Sequence, residues 1–155
     1  KKPTADAYSR LGEIHFTIGT ARMSAFDASG NKADSVLAVE KYEEAIKVLE
    51  KGRKAYPDDG NMLLILSNSY IGAGKLDVAM DAFKVGVEQD PENKNYRYNY
   101  GSLLLNSEQY EEAEPQFKKA LEIDPAYTNA IYNLAVTYVK WDAEMRESDI
   151  AKGEE

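Results

Sequence analysis

The sequence predicts an all-α chain of stacked antiparallel helix pairs, and three observations carry that prediction. Residues recur at a step of 34: Pro57, Pro91 and Pro125; Ala45, Ala79 and Ala113; Gly52, Gly86 and Ala120; Leu49, Phe83 and Phe117. A period of this length marks an array of small units, none of which buries its apolar face alone. Within each unit a large apolar residue stands directly before a small one, as in Leu66-Ser67, Tyr100-Gly101 and Leu134-Ala135. The small residue admits a neighbouring helix closely, and the large one fills the groove beside it. In the helix that follows, Ala79 or Ala113 marks a close crossing, with Phe83 or Phe117 as a knob on the same face. Pro91 and Pro125 then end that helix and set the turn into the next unit.

These residues resemble the tetratricopeptide repeat (TPR), whose pattern places Leu-Gly, Tyr, Ala, Phe, Ala and Pro in a 34-residue unit. One unit supplies Leu66-Ser67, Tyr70, Ala79, Phe83, Gly86 and Pro91. The next supplies Tyr100-Gly101, Ala113, Phe117, Ala120 and Pro125, and a further first helix supplies Leu134-Ala135 and Tyr138. The resemblance implies a right-handed α-solenoid of about seven helices whose concave face is lined by the first helix of each pair.

Taken in order, Thr4 caps a first helix that begins at Ala5. Leu11-Gly12 is the large-small pair of a first repeat, with His15 in the tyrosine place. Gly12 to Ala45 is a step of 33 where Ser67 to Ala79 is a step of 12, so 21 residues are extra. They read as extensions of both helices, an insertion at about 21–40, with a polar tip at Ala28-Ser29-Gly30-Asn31-Lys32. Asp34 is then the expected cap of the second helix, and Val36, Leu37 and Val39 the expected contacts of Met23 and Phe26. Such a pair projects roughly 15 Å beyond the stack.

A turn at 56–60 leads to a third helix over about 61–73 and a fourth over about 75–89, and a turn at 90–92 to a fifth over about 94–107. The stretch 95–100 alternates polar and aromatic residues like a strand, but the 34-residue register overrides that local signal. A sixth helix over about 108–123 contains Pro115, with a mild kink expected there. The seventh starts near Thr128 and meets no glycine or proline before Gly153, so it outruns the third and fifth. The whole is expected to be one domain: a first repeat over 1–59 with the insertion, repeats over 60–93 and 94–127, and the first helix of a fourth over 128–155. The partner of that last helix is expected beyond Glu155, and the opening Lys-Lys-Pro-Thr fits a fragment or a chain that has lost a leader.

Composition narrows the function. The 155 residues carry a net charge of −8, which disfavours a nucleic-acid surface. No apolar run approaches the length of a membrane helix, so no membrane insertion is expected. The chain has no cysteine and a single histidine, His15, which occupies a packing column. No phosphate-binding glycine loop or nucleophile elbow is present. Asp27, Ser29 and Asn31 imitate a calcium loop but lack its glycine and terminal glutamate. The sequence therefore predicts no catalytic residue, no metal and no cofactor. It leaves the compartment open between the cytoplasm and export to a periplasm after leader removal.

What remains is binding of a protein or peptide. The places that line the concave face in the TPR family fall on Asn61, Leu64, Ile65 and Asn68 in one unit, on Asn95, Tyr98, Asn99 and Ser102 in the next, and on Asn129, Tyr132, Asn133 and Val136 in the last. Asn95 and Asn129 match one repeat apart, as do Asn99 and Asn133, and Tyr98 and Tyr132. An asparagine amide both donates and accepts, so a row of them pairs with the N–H and C=O of an extended peptide. The tyrosines add rigid apolar area with a polar tip. The plainer alternative is that Asn99 and Asn133 bond a neighbouring helix and the tyrosines only pack. TPR domains that clamp a chaperone's terminal carboxylate use cations at places that here hold Ser9, Glu13, Ile65, Asn95 and Asn99, so that ligand is not expected. The alternative function is structural: Trp141 and Met145, one turn apart, would pair two molecules as a weak homodimer, or the first-pair projection would do so.

Overall fold

The computed structural model describes residues 2–57 and 59–153, with side chains through 148. Among the described residues it is all-α. The helices are α1 (Ala5–Ser29), α2 (Lys32–Ala55), α3 (Gly60–Gly72), α4 (Leu76–Gln89), α5 (Lys94–Asn106), α6 (Tyr110–Ile123) and α7 (Thr128–Gly153). The chain divides into two compact units, Lys1–Gly86 and Val87–Glu155, which are taken separately below.

In the first unit Thr4 caps α1, its hydroxyl accepting from the Ala7 N–H at 3.2 Å. The helix continues to Ser29, and Gly30 closes it at φ 70°, a left-handed conformation that costs glycine little. The tip between α1 and α2 is thus Gly30-Asn31 alone. Asn31, not Asp34, caps α2: its side chain accepts from the Ala33 N–H at 3.1 Å. Asp34 instead pairs with Arg22 across the hairpin at 3.1 Å. Val36 and Val39 are also not the expected inner contacts. Both are exposed, Ala38 is buried, and Leu37, Met23 and Phe26 are half-buried. The expectation placed the buried stripe one position to either side of where the helix turns it.

The two long helices run antiparallel, because α2 partners fall in number as α1 partners rise. Gly12 lies against Leu49, His15 against Glu44, Gly19 against Tyr42 and Arg22 against Asp34. At 25 residues α1 is twelve longer than the 13-residue α3, about 18 Å of extra helix. Tyr42 is the hub where α1, α2 and α3 meet. It is 5% exposed, and a Cβ built on Gly19 or Gly72 would come within 2.9 or 2.6 Å of its ring. Phe16 tilts against it at 5.8 Å. His15 Nδ1 lies 2.9 Å from Glu44 Oε2 but makes no hydrogen bond among the described residues, and that oxygen takes Lys41 Nζ at 2.6 Å.

In the second unit α6 packs on both α5 and α7, and α5 touches α7. A Cβ on Gly101 would meet the Phe117 ring at 3.0 Å, so the small residue sets the approach of α5 to α6. Pro115 lies inside an α6 that stays continuous; the helix starts at Tyr110 rather than 108, because Glu108 takes φ 60°. The stretch 95–100 is helical, and α7 has 26 residues against 13 in α5.

The second-helix columns of the 34-residue period are all interior. Ala45, Ala79, Ala113, Leu49, Phe83 and Phe117 are each 0% exposed, and Gly52, Gly86 and Ala120 are buried. The first-helix columns hold less uniformly. Ser67 and Gly101 are buried, but Ala135 is exposed, and Leu66 is buried where Leu11 is 45% exposed. The small residue faces the second helix of its own pair, as Gly101 faces Phe117, and among the described residues α7 has no such helix.

Candidate functional site

The candidate site lies in the second unit, where α5 and α7 lie side by side. Asn93 fixes the start of α5, its carbonyl oxygen accepting from the N–H of Asn95 (3.1 Å) and Tyr96 (3.3 Å). Lys94 bonds Asp124 at 2.5 Å, joining α5 to the turn that precedes α7. That ammonium, then the Ala126 N–H, holds the Asp124 carboxyl below its usual range. Arg97 donates to Gln116 on α6 at 3.0 Å and to the Pro91 carbonyl at 3.0 Å, so the first turn of α5 is pinned on several sides.

From that start, helical spacing puts Asn95, Asn99 and Ser102 on one face of α5. The same spacing puts Asn129, Asn133 and Val136 on one face of α7. The two faces are joined by one amide. Asn133 Nδ2 donates to Ser102 Oγ at 3.0 Å and reaches the Tyr98 hydroxyl at 3.5 Å. Ser102 Oγ in turn donates to the Tyr98 carbonyl at 2.8 Å.

The predicted residues thus divide. Asn133 is half-buried and ties α7 to α5 with its N–H groups, so for it the helix-bonding alternative holds in part. Its Oδ1 has no partner among the described residues. Tyr98 is half-buried too, its ring tilted against Tyr127 at 5.0 Å and Phe117 at 6.1 Å. Tyr127 carries Lys94 Nζ over its ring at 5.3 Å, and its hydroxyl is pushed to higher pKa by burial first, then by Tyr98 and Asp124. Asn99 is half-buried and its amide has no partner among the described residues. Asn95 and Asn129 are exposed, their side-chain amides likewise unpartnered among the described residues. Tyr132 is 69% exposed. In the first unit Asn68 is half-buried on α3, its amide unpartnered among the described residues.

One contributor was not in the predicted set: Tyr127, whose ring lies against Tyr98. Ser102, one of the expected concave-face places, is the acceptor that fixes Asn133. The residue one period before Tyr127 is Asn93, so a search for matching columns passes over it.

Trp141 is half-buried and lines, with residues 108–112 and Glu144, a cleft of about 250 Å³ at the start of α6. Met145 is 55% exposed on the same helix, as are Ile131 (49%), Tyr138 (42%) and Val139 (70%). No helix among the described residues is long and apolar enough to cross a membrane.

The sequence gives no match among curated proteins. Among solved structures it is similar to the first TPR of Spaghetti (RPAP3) bound to an HSP90 peptide, SRMEEVD, at 19% identity and TM-score 0.64, covering 86% of this chain and 95% of that one. The Sgt2 TPR domain from Aspergillus fumigatus shares 16% identity at TM-score 0.66 (87% and 82% covered). YrrB, described as a TPR protein with an unusual peptide-binding site, shares 21% at TM-score 0.59 (90% and 86% covered). At these identities the likeness speaks for the fold. The tetratricopeptide repeat family model matches residues 31–93 and again 66–128, well over half of the sequence. The helix pairs, their 34-residue step and this match together place the chain in the tetratricopeptide repeat family.

Proposed function

We propose that the protein is an interaction module that binds an extended segment of a partner protein along the paired faces of α5 and α7. The observation that carries this is Asn99, an amide half-buried on α5 with no partner among the described residues, together with Asn133 Oδ1 on the adjoining α7, which is also unpartnered there. Asparagine is a poor helix former, and a half-buried amide gains from a bond it lacks here. A peptide backbone supplies both the donor and the acceptor that these groups want. Tyr132 offers an open aromatic face on α7, while Tyr98 acts through the Tyr127 ring contact that holds α5 in place. Asn95 and Asn129 extend the row by one turn, and Asn68 offers the same chemistry on α3. The peptide bound to the similar TPR of Spaghetti (RPAP3) and the peptide-binding site of YrrB support this reading. Affinity for an isolated peptide is expected on the order of micromolar, because a few backbone bonds must offset the ordering of the chain.

The test is a photo-crosslinking amino acid placed at Tyr132, compared with the same group at exposed Lys118 on α6. Crosslinks to a specific protein from position 132 and not from 118 support the groove. Crosslinks from 118 alone remove it. A second reading, pairing of two molecules through the far part of α7, is favoured by exposed Val139, Tyr138 and Met145, with Trp141 beside them. Light scattering separates it: a dimer that survives dilution to low micromolar and is lost on Met145→Asp supports self-association.

A further inference from the structure

The end of the first unit where α1 begins and α2 finishes carries a feature that the groove does not use. Lys2 and Tyr8 from one side, and Lys51, Lys54 and Tyr56 from the other, line an open cup of about 700 Å³. Lys51 and Lys54 are one helical turn apart and so share a face. All three lysines are exposed, and none has a carboxylate partner among the described residues. Among the described residues no acidic one lines the cup, although the chain as a whole carries a net charge of −8.

The floor is aromatic and held in place. Tyr8 and Tyr56 lie 6.4 Å apart at 57°, and the Tyr56 hydroxyl donates to the Pro3 carbonyl at 3.1 Å, tying down the residues before α1. Gly52 lets Tyr8 lie on α2, since a Cβ there would come within 2.8 Å of the Tyr8 Cβ and 2.9 Å of its ring Cγ. Cations in the last turns of a helix also favour its dipole, which accounts for Lys51 and Lys54 alone. It does not account for Lys2 on another segment or for the paired rings between them.

We propose that this cup binds an acidic peptide segment of a partner protein, two or more carboxylates meeting the lysines and an adjacent apolar or aromatic side chain lying on Tyr8 and Tyr56. Three separated ammonium groups act as point charges and suit several spaced carboxylates. Bidentate phosphate recognition draws on a guanidinium fork or a nest of backbone N–H groups, and no arginine lines the cup among the described residues. The nearby Arg53 is engaged with the Asp59 carbonyl at 3.1 Å. None of these lysines falls on the chaperone-clamp places (Ser9, Glu13, Ile65, Asn95, Asn99), and the site is independent of the α5–α7 groove.

The experiment is fluorescence anisotropy with a labelled Gly-Glu-Glu-Phe-Glu-Glu-Gly peptide and its glutamine analogue, in low-salt buffer. The glutamate peptide is expected to bind and the glutamine analogue not. Lys51→Glu/Lys54→Glu, both exposed and checked by circular dichroism, is expected to weaken binding at least about tenfold, the scale of a lost charge contact. Asn99→Ala/Tyr132→Ala is expected to leave it unchanged. Equal binding of the two peptides, or equal binding by the charge-reversed protein, overturns the proposal. Displacement by micromolar tripolyphosphate would reassign the cup to phosphate. Self-association lost on Lys51→Glu/Lys54→Glu would make its occupant a second copy. Either outcome overturns it.

Discussion

Replacing Gly72 by alanine tests the packing of the first unit where three of its helices meet. A Cβ at this position would stand 2.6 Å from Tyr42 Cε2 and Cζ and 2.7 Å from Cε1, far inside contact distance. The ring has little room to yield. Gly19 flanks it so closely that a Cβ there would stand 2.9 Å from the ring, the Phe16 ring centre is 5.8 Å away, and the Tyr42 hydroxyl reaches Thr20 Oγ1 at 3.4 Å. Overpacking of this kind costs about 1–3 kcal/mol. Alanine also gains helix propensity over glycine, up to about 1 kcal/mol in a helix interior, but Gly72 is the last residue of α3 and recovers only part of it. The net expectation is a loss of about 1–2 kcal/mol, or a fall of about 2–8 °C in Tm for a chain of this size. Thermal and urea melts followed at 222 nm measure it. In a Tyr42→Leu background the same substitution should cost much less, because the ring it strikes is gone. A Gly72→Ala protein that melts at or above wild type, or an equal cost in both backgrounds, would refute the assignment of Tyr42 as the hub.

Three other outcomes follow from the second unit. Asn133→Ala should destabilise by about 1 kcal/mol through loss of the Ser102 bond, whereas Asn99→Ala should be near neutral; chemical denaturation of the two variants compares them. Pro115→Ala should raise stability by about 1–3 kcal/mol, since it restores a donor inside α6 at an exposed position, and an unchanged or lower urea midpoint would contradict this. The Asp124 carboxyl is held below its ordinary value by Lys94, so its contribution is present above the unfolded carboxylate pKa and is lost as pH falls through the lower folded value. Tm measured from pH 5 downward should therefore fall less steeply in Asp124→Asn than in wild type; parallel curves would exclude the pair as a contributor.

The fold was legible because its determinants are local and repeated. Ala79, Phe83 and Phe117 announce a buried face by spacing alone, and the prolines punctuate it. The 34-residue register also overruled the strand-like alternation at 95–100, which is helical. Errors arose where the period gives no guide. The hairpin of α1 and α2 has no second copy in the chain, so the sequence offers Asp34 as readily as Asn31 for the cap and gives no sign that Val36 and Val39 face outward. Two capping candidates three residues apart look alike in sequence; only the turn at Gly30 decides between them. In the candidate site, the period located Asn99 and Asn133 but did not distinguish them. One has Ser102 within reach and the other has none, a difference set by neighbours on another helix.

That difference shapes the measurement that tests the groove most directly: a pull-down from native extract, read by mass spectrometry, with wild type against Asn95→Ala/Asn99→Ala/Tyr132→Ala. These three side chains leave the Asn133–Ser102 bond in place, so folding should survive, and matching melts verify it. A groove that binds peptide predicts a partner retained by wild type and lost by the triple variant. The same partners retained equally by both proteins would contradict it, and would leave the asparagines of α5 and α7 with a structural role alone.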